Sequence, residues 1–482
     1  MKDVPFVFVD TQRATTAMGG ARALSADSLR KRANNHVAAA NRTSEQPFAK
    51  ALETLSTDAL KQHAANIASD DLILLGIGGS ALGAAVIHEA LRPNSPWEGR
   101  QLHVLDHLDP MVCHATIEQG WRRGAHFCVI SKSGDTTETM ALATILDRVA
   151  GSANRYGDGR VTIVTNEPPR DTKAAGPTPV RVWGSNIGAT IFDMPVSLGG
   201  RYSVLSAVGL VPAALLGYDV DALVSGGREM LKRLMRVDPQ RGDGIGHEAL
   251  ELASALVGLD VEHGWGAQVL MPYLHRMGRF GDWFVQLWAE SLGKKAEKTG
   301  KSAGPAGPIR GVGPTDQHSF AQLLLEGRPD KVVLFLDLIG NSDGGEKLSP
   351  SKAFGGTVEG LRGFSLGQIL ATECFSTELA LHQVERPSIA IRTDDFDARV
   401  LGGLFVLFEA TTYLAAEMYS VNPYDQPGVQ EIKAFIKKCL SPQTAVDPER
   451  AQVVREWERN GRFPRQVPIE WRSRTLSTRG LR

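Results

Sequence analysis

Residues 127–139 read Phe-Cys-Val-Ile-Ser-Lys-Ser-Gly-Asp-Thr-Thr-Glu-Thr, and this order points to the fold. Four strand formers, Phe127 to Ile130, run into a polar loop of Ser131, Lys132, Ser133 and Gly134. A helix should follow. Asp135 stands at N-cap spacing from Glu138, and Leu142, Ile145, Leu146 and Val149 repeat at helical period. Such a turn aims free backbone N–H groups and the positive end of the helix dipole at one spot. The hydroxyls of Ser131, Ser133, Thr136 and Thr137 and the Lys132 ammonium are expected to surround that spot, which suits an anion such as a phosphate ester. An ordinary βα turn with a Ser/Thr cap has the same local pattern, so the rest of the chain must decide.

Upstream, the stretch from Asp27 to Ala68 reads as helices leading into a domain. Leu72 to Leu75 then form a short buried strand, followed by Gly76, Ile77, Gly78, Gly79 and Ser80 and a helix bearing Leu82, Ala85 and Val86. The glycines let backbone approach a ligand, and Ser80 adds a hydroxyl at the helix mouth. Gly76, Gly78 and Ala81 also satisfy a dinucleotide-binding pattern, with Asp106 where a ribose-binding acid would stand. Downstream, Val161 to Thr165 is another strand. This alternation gives a mostly parallel sheet with helices on both faces, and ligands then bind at the carboxyl ends of its strands.

The chain has 482 residues, long enough for two domains. With 42% hydrophobic and 22% charged residues it has the composition of a globular protein. Its net charge of −1 gives no reason to expect nucleic acid or an anionic membrane as partner. The four cysteines, Cys113, Cys128, Cys374 and Cys439, form no C-x-x-C pair, which argues against a zinc site or disulfide framework. No run approaches 18 apolar residues and no long h-region stands at the amino terminus, so a cytoplasmic chain is expected.

Farther on, Gly199 and Gly200 precede Arg201, Tyr202 and Ser203. Paired glycines suggest backbone passing close to something while the guanidinium points into it, although an Arg on an exposed turn fits as well. A basic helix from Leu223 to Gly242 reads as a linker with a solvated charged face. In the helix from Arg279 to Leu292, Gln286 and Glu290 lie four apart, and Trp283 and Leu287 share their face. A carboxylate on an aromatic stripe is partly desolvated and suits a general base; a salt bridge to Lys294 at i+4 is the alternative. His318 is read in the first turn of a helix, placed for proton transfer. A Pro- and Gly-rich turn delivers Gln426, and the helix after it carries Lys433. Asp447 and Pro448 open one more helix, and Phe463 to Arg482 form a basic tail.

Taken in order, Gly76 to Gly83, Ser131 to Thr139, Gly199 to Gly209, Gln286 to Lys294, Thr315 to Gly327 and Pro423 to Lys433 resemble the glucose-6-phosphate isomerase family. The resemblance implies two three-layer α/β/α sandwich domains of the sugar-isomerase, flavodoxin-like type, with mostly parallel sheets and helical extensions at both ends. The expected division is 1–68 helical segment, 69–225 first domain with the phosphate loop, 226–245 linker helix, 246–433 second domain, and 434–482 helices and tail. It implies the interconversion of glucose 6-phosphate and fructose 6-phosphate through an enediolate, without metal or nicotinamide. Glu290 matches the base between C1 and C2, and Arg201 the cation that stabilises the intermediate. Ser131, Lys132, Ser133 and Thr136 match the phosphate loop, and Gly79, Ser80 and Gly200 line the sugar site. Gln286 and Gln426 match hydroxyl-contacting amides. His318 matches a ring-opening residue supplied across a homodimer interface, and Lys433 its co-worker near the ring oxygen. Ser197, and Gln430 where a glutamate is usual, depart from the family pattern without removing a catalytic group.

Three rivals accompany this reading. A dehydrogenase uses only Gly76 to Ala81 and Asp106 and leaves Glu290 and His318 without a task. A sugar-phosphate sensor has no use for Glu290, His318 and Lys433 together. An isomerase that also accepts mannose 6-phosphate differs only in tolerance at C2.

Overall fold

The computed structural model describes residues 7–15, 24–92, 99–152, 159–167, 176–235, 247–337, 345–393 and 396–440. The chain divides into two compact units, Met1–Tyr424 and Asp425–Arg482. In the first unit, β1 (Phe8–Asp10) is followed by β2 (Asp71–Leu75), β3 (Gln101–Leu105), β4 (His126–Ile130), β5 (Val161–Asn166) and β6 (Thr190–Met194). Strands β2 to β6 form a parallel sheet ordered β3-β2-β4-β5-β6, with Cys128 paired to Leu74 on one side and Thr162 on the other.

Every residue of β4 is buried. That is why the strand reads as an unbroken apolar run: a parallel sheet is covered on both faces, so neither side chain parity meets water. Phe127 and Val129 join Leu142 and Leu146 in one hydrophobic cluster, while Cys128 and Ile130 point into a second, larger one.

After β7 (Ala267–Pro272) comes a short antiparallel pair, β8 (Lys294–Lys295) and β9 (Ser302–Ala303). With β10 (Gly307–Arg310), β11 (Lys331–Asp337) and β12 (Ser388–Arg392), strand β7 builds a second sheet ordered β1-β12-β11-β7-β10. Its pairs are parallel except β1 with β12. The segment ahead of the first sheet is thus more than helical: it gives an edge strand to the second sheet, where Asp10 pairs with Arg392 at 2.9 Å.

The larger cluster lies between the two sheets. Leu74 and Ile130 enter it from the first, Leu334, Leu336 and Ile391 from the second, and helices Val220–Leu234, Glu248–His263, Gly278–Leu292 and Ala398–Tyr419 fill it. The last of these is the one described helix long and apolar enough to cross a membrane, and it is 94% buried in protein. The outer face of the second sheet, with Val269, Met271, Val333 and Phe335, packs on Cys374 and Leu381 of helix Leu366–Gln383.

Three expectations change. The helix after β4 starts at Thr137, so Thr136 rather than Asp135 precedes it, and the Thr136 carbonyl accepts from Met140 N at 2.9 Å. The basic helix ends at Leu234, and Arg228 donates to the carbonyls of Leu52 and Leu55 at the end of helix Pro47–Thr54 instead of facing only solvent. His318 ends a 3-10 turn, Thr315–His318, not the first turn of an α-helix, because Asp316 spends its carboxylate on the Val312 N–H behind it, at 2.7 Å. Residues 236–246, the helix expected at Asp447 and the basic tail lie outside the described residues.

Candidate active site

Strands β2 and β4 are neighbours and parallel, so the two polar loops that follow them open at the same edge of the first sheet. In the loop after β4, Ser131 is buried; its Oγ accepts from Gly134 N at 3.1 Å and lies 3.0 Å from Thr136 Oγ1, which in turn reaches Ser133 Oγ at 3.4 Å. The Lys132 carbonyl accepts from Asn166 N at 3.2 Å, tying the loop to the end of β5. Hydroxyls and ammonium are therefore held on a closed turn, as anion binding requires. The Lys132 ammonium is pulled below the ordinary lysine range, first by burial and then by the positive charge of Arg201. Two cations sharing one field are what a phosphate or an oxyanion between them would neutralise.

The loop after β2 forms the turn Gly78–Ser80, in which Ser80 is half-buried. A Cβ on Gly79 would stand 2.3 Å from the carbonyl carbon and oxygen of Gly200, so only glycine allows this loop to lie on the Gly200–Tyr202 turn. Gly78, with φ +59°, faces the amide nitrogen of Gln286, which a Cβ would meet at 2.9 Å. A dinucleotide pyrophosphate would need that approach open; protein fills it, and the dehydrogenase alternative loses its main support.

Arg201 is 3% exposed. Its Nε donates to Ser291 Oγ at 2.8 Å, one Nη donates to the Pro423 carbonyl, and the other stands 3.6 Å from Glu290 Oε2. The guanidinium thus points inward rather than lying on an exposed turn. Glu290, with a fifth of its side chain exposed, sits at the rim of the stripe made by fully buried Trp283 and Leu287. Gln286, one turn earlier, donates its amide nitrogen to Glu290 Oε2 at 3.3 Å and keeps its buried Oε1 without a hydrogen-bond partner. The i+4 residue, Lys294, donates to the Asn422 carbonyl.

Gly79, Gly200, Arg201, Gln286 and Glu290 therefore meet, with Lys132 in the field of Arg201. His318 stands apart: it is exposed and has no hydrogen-bond or ion-pair partner among the described residues. Its turn is pinned from below, where Gln317 donates to Tyr273 Oη at 2.8 Å and to the Glu373 carbonyl at 3.1 Å. Gln426 and Lys433 belong to the second compact unit, where Gln426 precedes helix Pro427–Leu440 and its carbonyl accepts from Val429 N and Gln430 N. Sequence reasoning misses Ser291 and Tyr202. Both stand inside quoted motifs, immediately after Glu290 and Arg201, but neither is charged, and nothing in the sequence says that one holds the other.

The sequence model of the family described as phosphoglucose isomerase matches residues 10–453. The chain is 35% identical over 374 residues to the glucose-6-phosphate isomerase of Rubrobacter xylanophilus, covering 75% of this chain and 80% of that one. It is 32% identical over 407 residues to a probable glucose-6-phosphate isomerase of Haloarcula marismortui, covering 83% and 86%. Among solved structures, a hypothetical protein from Thermus thermophilus superposes with a TM-score of 0.77 at 26% identity, over 90% of this chain and all of that one.

Proposed function

Because the chain belongs to the phosphoglucose isomerase family, we propose that the carboxylate of Glu290 is the base of its reaction and Arg201 the cation facing the intermediate. The reaction is the reversible isomerisation of glucose 6-phosphate and fructose 6-phosphate, a step of glycolysis and gluconeogenesis. The observation that carries the assignment is the placing of Glu290 Oε2 and an Arg201 Nη 3.6 Å apart, beside the glycine backbone of the first domain's loop.

An aldose–ketose shift needs one base that takes a proton from C2 and returns it to C1. Glu290 is on a rigid helix, and Gln286 fixes one of its oxygens while presenting an acceptor of its own to a sugar hydroxyl. As the proton leaves, charge builds on the C1 and C2 oxygens, and a guanidinium already held in place stabilises it without reorganising. Ser131, Lys132, Ser133 and Thr136 take the phosphate, whose binding energy orients carbons it does not touch. Gly79, Ser80 and Gly200 line the sugar, and Gln426 contacts a hydroxyl. Lys433 and His318 open the ring. The two domains of this reading are 69–225 and 246–433, and its compartment is the cytoplasm, in keeping with the buried free thiols of Cys113, Cys128 and Cys374.

His318 acts in the site of a second copy, in a homodimer. Its exposure supports this, as do exposed apolar side chains on helix Leu366–Gln383, which holds the His318 turn through the Glu373 carbonyl: Leu366 and Phe375 are 68% and 55% exposed, and Phe364 just before the helix is exposed as well. The test mixes two inactive proteins. Co-refolded Glu290→Gln and His318→Ala chains should recover about a quarter of wild-type turnover, because half the dimers carry one intact composite site. No recovery above the two parents would contradict the shared site.

A further inference from the structure

Beyond the base and its cation, the structure shows how the cation is aimed. We propose that Ser291 and Tyr202 are positioning residues that hold the Arg201 guanidinium in the orientation an enediolate requires. The inference rests on the reading of Arg201 given above. A guanidinium presents five donors in one plane, so fixing two of its nitrogens fixes where the third points. Here Nε is fixed by Ser291 Oγ at 2.8 Å and one Nη by the Pro423 carbonyl, and the remaining Nη is directed at Glu290.

Ser291 is fully buried and immediately follows Glu290, so the helix that carries the base also carries the anchor for the cation. Its Oγ accepts from Arg201 Nε and lies 3.2 Å from Tyr202 Oη, which fixes the hydroxyl from the other side. Tyr202 cannot turn away: its ring stacks on Phe48 with centroids 5.8 Å apart and leans on Tyr424 at 5.1 Å. Burial pushes its phenol above the ordinary range, so the proton needed for this bond stays in place at working pH. Base and cation thereby keep one spacing, set by a single helix and one locked ring.

The test is a double-mutant cycle. Ser291→Ala should lower kcat about 10- to 100-fold, the range of one hydrogen bond to a charged group, with KM for glucose 6-phosphate changed by less than about 3-fold. Tyr202→Phe, which keeps the ring, should lower kcat less and in the same sense. In an Arg201→Gln background either substitution should cost almost nothing further, because its effect passes through the guanidinium. Wild-type kcat in Ser291→Ala, or an equal loss with and without Arg201, overturns the proposal. If Ser291→Ala does not fold, the Tyr202→Phe cycle decides by the same criterion. An Arg201→Gln protein with wild-type kcat would instead overturn the reading of Arg201 itself, and the positioning role with it.

Discussion

The loops of the first sheet and the helix from the second half hold their site residues in different ways. The hydroxyls of Ser131, Ser133 and Thr136 are fixed by bonds that span at most five residues, and the loop backbone is tied to the adjacent strand β5 by Ser131 N to the Val164 carbonyl and Asn166 N to the Lys132 carbonyl. Glu290 is fixed by its helix, and its partner Arg201 comes from far away in sequence and is held by Ser291 and Pro423. Local turn chemistry suffices to bind a phosphate; placing a base against a cation needs the packed core between the sheets. The first region is therefore expected to govern binding and the second the chemical step.

The largest disturbance should come from joining the two wrongly. Gly79→Ala puts a Cβ into the backbone of Gly200, and since neither backbone can yield cheaply the cost should reach roughly 3 kcal/mol. A lowered melting temperature and loss of most activity are expected; a wild-type melting curve would show that the two loops do not depend on each other.

Separating the regions should give opposite kinetic signatures. Lys132→Gln should raise KM about 10- to 100-fold with kcat little changed, and Gln286→Leu should lower kcat by roughly 10-fold with KM little changed. Since Gln286 also offers an acceptor to a sugar hydroxyl, KM in its variant is allowed a rise smaller than that in Lys132→Gln; steady-state kinetics on both variants decides this, and the reverse pattern would break the comparison.

How much of this is legible in the sequence follows the same division. The β4 turn can be read because strand, loop and helix are contiguous and each obeys a local rule. Its reading places the start of the helix one residue early, since the helix begins at Thr137. The His318 turn misleads because a residue three or four before an apolar helical run reads as its first turn, whereas here the Thr315–His318 3-10 turn precedes the helix Ala321–Leu325. Ser291 and Tyr202 cannot be found at all. Each acquires its role only when folding brings the Arg201 guanidinium to it, and the motifs that carry the resemblance contain both residues without assigning either a task. The strand β1 escapes for a similar reason: three residues pair with β12, which lies near the other end of the chain.

A smaller effect concerns pH, and the two halves should respond with opposite sign. At the first sheet His63, on helix Asp58–Ala65, and His126, on β4, both contact Thr162 Oγ1, at 2.7 and 2.8 Å; burial lowers both, His126 to about 4. Each favours the neutral ring when folded, so their contribution is present above the ordinary histidine value near 6.5 and is lost as pH falls toward 4. In helix Ala398–Tyr419 Glu409 is fully buried, and burial raises its carboxyl well above the ordinary range. Its contribution is present below about 4.5 and fades as pH rises. Urea unfolding should therefore show Glu409→Gln gaining stability over wild type as pH rises above about 4.5, and His126→Gln losing its deficit at acid pH. A pH-independent difference in either variant would contradict the stated protonation.

The central claim is that Glu290 moves the proton. The most direct measurement follows glucose 6-phosphate and fructose 6-phosphate in deuterated water with wild type and Glu290→Gln, reading turnover and deuterium at C2 together. Turnover with incorporation in the wild type, and a loss of about 10²- to 10⁴-fold in both for the variant, is the predicted result. Equal rates of turnover and incorporation in the two proteins would assign the base to another residue.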